Sequence, residues 1–489
     1  MSEIEERLAE LERSGLDRRL RMISGPQGPT VLLDGRPVLL LCSNNYLGLA
    51  DHPRVREAAA EAAMRWGVGA GASRLVSGTM TIHRRLEERL AAFEHSEACL
   101  LFGSGYLANI GVIGALAGPG DTVFSDELNH ASIIDGCRLS RAEVVVYRHA
   151  DPDHLAFSLR RHGGRGGRLI VTDSVFSMDG DLAPLEEIVE LASAYGARTI
   201  VDEAHATGAV GPDGRGALAR AGLSDEVDVL VGTLGKALGS YGAYVCADSQ
   251  MVRYLVNTAR PLIFSTAPPP PAVAAALAAL ELLQERPHRV ERLRSNALLL
   301  RRELAAVGFS VAEEGMHIVP LIVGEERMTM RLCQESIERG VFAQAIRPPT
   351  VAAGTSRMRL AVMASHTASE LRTAARVLGE AAHAVGLDPA EIGTPLRERG
   401  VADVTPSVAV LETPSSDLEP FSLGVEREAA ETGPNPGRAR LAAAARSRSE
   451  GPFDLEKWEA AGEAAPARGA HEPDVPFDIE RETAVRRAA

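Results

Sequence analysis

No two of the five cysteines (Cys42, Cys99, Cys137, Cys246 and Cys333) stand close enough to make a CxxC pair. Zinc knuckles and disulfide frameworks both need clustered thiols, so reduced core cysteines are expected and no metal site. A basic surplus is missing too. The net charge is −14 at pH 7, which argues against the sequence-independent hold on nucleic acid that a cationic face provides. The longest apolar run, Pro271 to Leu283 with Glu281 as its one charge, is mostly alanine and falls short of the roughly 20 residues that span a membrane. Residues 1–21 alternate charge with leucine and lack the apolar stretch of a signal peptide. A cytoplasmic protein that meets neither nucleic acid nor membrane fits these absences. Aromatics are scarce at 4 %, and beyond Pro389 only Phe421, Phe453, Trp458 and Phe477 remain among Pro, Glu, Ala, Arg and Ser. Such a segment cannot bury enough apolar surface to offset its ordering entropy. Residues 389–489 are therefore expected to form a disordered tail with no part in catalysis.

The remaining chain is long enough for two or three cores. Residues 1–21 carry Ile4, Leu8, Leu11 and Leu16 at near-helical spacing, which predicts an amphipathic helix. Short β-branched runs then recur at Val38–Cys42, Ala98–Phe102, Thr122–Phe124, Val144–Tyr147, Leu169–Val171, Thr199–Val201, Val229–Val231 and Ala243–Cys246. Helix-length stretches such as Pro53–Arg65, His83–Phe93 and Leu185–Tyr195 separate most of them. This alternation predicts an α/β fold with a mostly parallel sheet covered by helices on both faces. Four segments follow: an N-terminal helix and arm (1–44), a large domain (45–286), a smaller α/β domain (287–388) and the tail (389–489). In such a sheet ligands bind beyond the carboxyl ends of the strands, so polar residues there are the first candidates for chemistry.

Lys236 is the sharpest of these, in Gly232-Thr233-Leu234-Gly235-Lys236-Ala237-Leu238-Gly239 after an apolar strand. A phosphate loop of the Walker type is ruled out by Leu230 and Ala237. A partly desolvated lysine that forms an imine with a cofactor aldehyde suits the setting better, since its lowered pKa makes it nucleophilic. Asp202-Glu203-Ala204-His205 ends another strand. An aspartate there can keep a pyridinium nitrogen protonated, and His205 can reach the same ring's phenolic oxygen. Alone, D-x-x-H also fits a metal pair or a helix cap; with Lys236 it points to pyridoxal phosphate. Gly103-Ser104-Gly105-Tyr106 follows a strand and opens a helix, so free N–H groups and the helix dipole would face a phosphate. The same stretch fits a dinucleotide fingerprint with Asp126 downstream, but that reading explains neither Lys236 nor Asp202. His130 and Ser177 also follow strands, and either alone is ambiguous.

Joined with these residues, the blocks Ser43–Leu49, Phe176–Asp181, Val201–Gly208 and Thr233–Lys236 resemble the α-oxoamine synthases, a fold-type-I pyridoxal-phosphate family, over residues 15–388. The resemblance implies a large cofactor-binding domain followed by a smaller one, and a decarboxylative joining of an amino acid to an acyl thioester. Carried over by position, it makes Lys236 the cofactor-linked lysine, Asp202 the pyridinium partner and His130 the stacking histidine. Ser177 and His205 lie beside the ring, and Gly105, Tyr106 and Thr233 form the phosphate site. Asn44 and Arg359 hold the amino acid's carboxylate, which suits arginine's planar fork. Ser265-Thr266 would reach the neighbouring subunit's phosphate, implying a homodimer with shared active sites. Ser73–Gly78 and Ala345-Ile346-Arg347-Pro348-Pro349-Thr350-Val351 resemble the members that join L-alanine to pimeloyl-CoA or pimeloyl-acyl carrier protein. Thr350 and Arg18, with Arg19 and Arg21 close behind, are then substrate contacts. Ala352 departs from the family's usual proline. Other members use glycine with acetyl-CoA or serine with a long acyl chain, and non-catalytic members typically lack the lysine.

Overall fold

The computed structural model describes residues 2–163, 166–313 and 315–393. Its centre is a seven-stranded sheet in the order Ala98–Phe102, Ala243–Ala247, Val229–Thr233, Arg198–Asp202, Arg168–Asp173, Thr122–Asp126 and Glu143–Tyr147. Ala243–Ala247 runs antiparallel to both neighbours and the other pairs are parallel. The period-2 alternation of strand side chains divides the sheet's residues between two cores. Leu100, Phe102, Leu169, Val171, Val229 and Val231 face helices Gly105–Leu116 and Ala131–Ser140. Cys99, Leu101, Ile170, Val201, Leu230 and Tyr244 face Thr81–Glu94, Leu185–Tyr195 and Pro270–Glu285. Both faces are dry, which is why these strands read as continuous apolar runs rather than alternating ones.

Two expectations need correction. The run at Val38–Cys42 does not join the central sheet: Arg36–Leu40 pairs antiparallel with Thr30–Leu33 and parallel with Val341–Phe342. Periodicity alone cannot say which sheet a short apolar run enters. The N-terminal helix covers Glu3–Arg13 rather than 1–21. It stops because Gly15 takes a left-handed φ of +65°, with Gly15 N donating to Glu12 O and Leu16 N to Leu11 O, the Schellman pattern that ends a helix.

Beyond helix His288–Ala306 lies a three-stranded antiparallel sheet in the order Ile318–Gly324, Ser356–Ala361, Gln344–Ile346. Its middle strand carries Arg359 opposite Pro320 and Gln344. Ile392 and Gly393 still belong to this body, since Ser310 N donates to Ile392 O and Ile322 N to Gly393 O. The disorder expected of the tail concerns residues that, from 394 on, lie outside the described ones. Among the described residues no helix is long and apolar enough to cross a membrane.

Candidate active site

Neighbouring parallel strands end in Asp126, Asp173, Asp202 and Thr233, so three carboxylates and a hydroxyl line one edge of the sheet. Asp173 and Asp202 are direct partners in register. Burial and the Asp202 charge push the Asp173 carboxyl well above the usual carboxylate range. Lys236 sits in the turn after Val229–Thr233 and is half-buried. Dehydration pushes its ammonium down to about 8, against the pull of Asp202 and Asp173 and with a push from Arg359. Its turn is tightly fitted. A Cβ on Gly239 would come 2.4 Å from Ala50 N, and one on Gly208 2.5 Å from the Ala237 Cβ.

Asp202 is 3 % exposed, and neutral groups hold it. Ala204 N donates to Oδ1 at 2.8 Å and Asn109 Nδ2 to Oδ2 at 2.7 Å. Asn109 Nδ2 also donates to Ser132 Oγ, which meets His130 Nδ1 at 2.7 Å. His130 is fixed at its backbone as well, N–H to Asp173 Oδ2 at 2.7 Å. One hydrogen-bonded chain therefore joins Asp202 to His130. Its middle members, Asn109 and Ser132, escape a reading of strand ends because both sit on helices. Asn109 lies one helical turn past Gly105, and that spacing is the signal that would have found it.

A second chain starts at Arg359, 6 % exposed. Its Nε donates to Ser177 O at 2.6 Å, and Nη2 to Asn44 Oδ1 at 3.2 Å and Tyr46 Oη at 3.4 Å. Tyr46 Oη in turn meets His205 Nδ1 at 2.7 Å. Burial, with Lys236 and Arg359 nearby, holds the His205 imidazolium well below the usual range, so the ring is neutral. His317 packs edge-on to Tyr46 at 4.1 Å between centroids, and burial lowers it to about 3. Ser177 lies on a loop pinned by Asp179 to Arg357 at 2.5 Å and by Asp181 to His149 at 2.9 Å. His149 also meets Asp126 at 3.0 Å, which occupies the acid that a dinucleotide reading would use.

The remaining candidates lie further out. Thr233 Oγ1 donates to Gly242 O at 3.2 Å. Tyr106 is exposed and donates to Asp135. Thr350 and Arg18 are exposed and bond nothing in the buried cluster. Arg347 reaches back to the carbonyl of Asp17, which brings residues 17–21 beside the Pro348–Thr350 turn. Arg19 pairs with Asp17 and Arg21 with Gln334, leaving Arg18 without an intrachain partner among the described residues.

A planar, phosphorylated pyridine aldehyde fits these residues. The N–H groups of Gly105 and Tyr106 fall in the first turn of a helix, where no preceding carbonyl can take them, and a Cβ on Gly105 would meet nothing within 4 Å. Buried Asp202 has only neutral donors and calls for a cationic partner. Lys236 is the sole lysine among the described residues, and it is already poised toward its free-base form.

The sequence matches the family described as aminotransferase class I and II over residues 36–378. It is 50 % identical over 389 residues to the 8-amino-7-oxononanoate synthase of Citrifermentans bemidjiense, covering 79 % of this chain and 100 % of that one. A serine palmitoyltransferase of S. paucimobilis, solved with a bound PLP–myriocin aldimine, is 33 % identical with a TM-score of 0.75, over 79 % of this chain and 98 % of that one. The structure of 8-amino-7-oxononanoate synthase from Francisella tularensis is 26 % identical with a TM-score of 0.61, over 71 % and 98 %.

Proposed function

This chain belongs to the aminotransferase class I and II family, and on that premise we propose that it joins L-alanine to a pimeloyl thioester, releasing carbon dioxide and yielding 8-amino-7-oxononanoate for biotin synthesis. The reaction class rests on one observation: a lysine with a depressed pKa beside a buried, neutrally held aspartate at the sheet's carboxyl edge. The substrate pair draws its support from relatives at about 50 % identity that bear that name.

When bound, pyridoxal phosphate supplies an electron sink for the pair left on the amino acid's Cα. Gly105, Tyr106 and Thr233 would hold its phosphate, and Asp202 would keep a proton at its pyridine nitrogen. His130, fixed by Ser132, would cover the ring and exclude water, while Ser177 and neutral His205 would serve its phenolic oxygen. Arg359 and Asn44 take the carboxylate of alanine. Lys236 Nζ, close to neutrality in its pKa, takes the Cα proton and later returns one to the same carbon. Between these transfers the Cα–C bond to the acyl group forms, the C–S bond breaks and the carboxylate leaves as carbon dioxide. Arg18 and Thr350 meet the polar far end of the acyl chain, which an acetyl or palmitoyl chain lacks.

The proposal includes a cytoplasmic homodimer with shared active sites, in which Ser265 and Thr266 reach the partner's phosphate. Exposed Phe264, Val68 and Val76, at 71 %, 79 % and 79 %, support such an interface beside that segment. The overlap with serine palmitoyltransferase favours a second reading, serine with a long acyl chain, but at lower identity. Competition among L-alanine, glycine and L-serine, each with pimeloyl-, acetyl- and palmitoyl-CoA, decides between them. The highest specificity constant is expected for L-alanine with pimeloyl-CoA. If another pair led, the substrate assignment would fall while the cofactor chemistry stood.

A further inference from the structure

A pocket of about 200 Å³ opens at the start of helix His288–Ala306, lined by His288, Arg289, Arg292, Ala364 and Ser365. Its chemistry is one-sided. Arg286, Arg289 and Arg292 have no carboxylate within 4.0 Å among the described residues. Two acids nearby are already engaged, Glu285 with Arg54 at 2.6 Å and Asp51 with Arg56 at 3.2 Å, and Glu57, whose charge raises His52 against the arginines, does not line the pocket. Glu291 is the acid in the helix's first turn and does not line the pocket. Two lining atoms, Arg289 Nε and Ser365 Oγ, are buried and bond nothing, and so is His52 Nδ1 close by. Burial, then Arg286 and Arg292, push Arg289 below its usual range. Burial, then Arg289, Arg286 and Arg54, do the same to His52. Converging cations with unsatisfied buried donors are costly unless an anion completes them.

We propose that this pocket is an anion site, separate from the catalytic cluster, that takes a phosphate or phosphate monoester. Two guanidinium groups, an imidazole and a hydroxyl offer more donors than one carboxylate can use, whereas a tetrahedral phosphate matches them. The helix's positive end adds to the attraction. The site is also tied to the segment that carries Asn44 and Tyr46. Arg289 Nη1 donates to Leu47 O at 3.3 Å, and Ala364 N donates to Tyr46 O at 2.7 Å. The phosphate has two possible sources, a free anion or the 3′-phosphate of coenzyme A. Only the second rests on the thioester reading above.

Titration calorimetry of inorganic phosphate into cofactor-saturated full-length protein tests the site directly, with sodium chloride at matched ionic strength as the control. One phosphate per chain is expected, weakened about tenfold or more by Arg289→Gln or Arg292→Gln. Arg292 bonds no other described residue, so its variant keeps the test open if Arg289→Gln fails to fold. Equal binding by both variants, or no binding beyond the chloride control, overturns the site. Inhibition by coenzyme A against its 3′-dephospho form then separates the sources. If the 3′-phosphate is the natural occupant, the dephospho form inhibits about tenfold more weakly in wild type, and Arg292→Gln erases the difference. If the difference survives the variant, the occupant is free phosphate. Because phosphate binding is read without turnover, a wrong substrate assignment leaves this result untouched.

Discussion

The inner cluster and its outer rim are built by different means. Asp202, His205 and Arg359 are each less than 9 % exposed; Asp202 and Arg359 are each held by two or more neighbours and His205 by Tyr46. Arg18 and Thr350, which the proposed function asks to meet the acyl chain, are exposed. Backbone ties hold them: Thr350 N donates to Arg347 O at 3.1 Å, and Arg347 in turn reaches the carbonyl of Asp17 beside Arg18. The inner groups handle charge that must not be solvated, so the fold fixes them in advance. The rim needs only to meet one chain end, and substrate can complete it. Reaction class is therefore written into the body of the protein, while acyl choice is written into its edge.

The sharpest way to break this comparison is at Lys236. Lys236→Ala is expected to lower kcat at least about 10⁴-fold, since it removes both the covalent hold and the proton carrier. The folded protein should still bind pyridoxal phosphate, now without the absorbance of the linked form. Only Lys236 and Lys457 are lysines in the whole sequence, so borohydride reduction and peptide mapping give a two-way answer. A label on Lys457 would overturn the assignment.

At the rim the expected loss is smaller and falls on KM. Arg18→Ala should raise KM for pimeloyl-CoA about tenfold to a hundredfold, the usual worth of a hydrogen bond to a charged group, and Thr350→Ala by less. Acetyl-CoA, whose chain ends in methyl, should respond to neither. Arg19→Ala and Arg21→Ala act as controls, since those side chains already have intrachain partners. An equal KM increase in all three arginine variants would mean that the segment acts only through its overall charge.

The same division governs what the sequence could reveal. Strand ends are legible because parallel strands buried on both faces read as apolar runs, and the residue after each run lands at the ligand edge. Lys236, Asp202, His205 and Ser177 emerged that way. Asp173 ends a strand under the same rule, but no motif marks it. Asn109 and Ser132 lie on helices, and Tyr46 acts from a loop, so their roles depend on packing that no local period encodes. The Arg36–Leu40 run likewise took its sheet partner, Val341–Phe342, from some 300 residues away.

Between core and rim stands His149, which ties the Ser177 loop to the sheet through Asp181 and Asp126 and packs edge-on to Phe176 at 4.3 Å. Burial alone would lower this imidazole, but hydrogen bonds to Asp126 and Asp181 lift it to about 10. The folded state therefore binds a proton that the unfolded chain releases above about 6.5. Its contribution to stability is whole below that pH and fades as pH rises toward 10. His149→Gln should lower Tm most near pH 6, with the gap to wild type closing by pH 10. Because Ser177 O receives Arg359 Nε, KM for L-alanine should rise only a few-fold. A gap that stayed constant across this range would show that the bridge carries no net charge.

The smallest effect is expected where composition and kinship agree. The relative from Citrifermentans bemidjiense is matched over its whole length by 389 residues of this chain, so about a hundred residues here have no counterpart in it. Residues from 395 on are poor in aromatics and lack the pattern of a packed core. The described body closes at Ile392 and Gly393, whose backbone hydrogen bonds to Ser310 and Ile322 give the cut a natural limit. Deleting 395–489 should accordingly change neither Tm nor kcat/KM beyond experimental scatter, because it takes away none of the groups that the chemistry or the rim requires. A deletion starting at 389 should behave differently: it removes Ile392, which is 1 % exposed, and Tm should fall. If the shorter cut also cost stability or turnover, the tail would have to contribute to the catalytic body, and the division between a fixed core and an adaptable edge would need a third region.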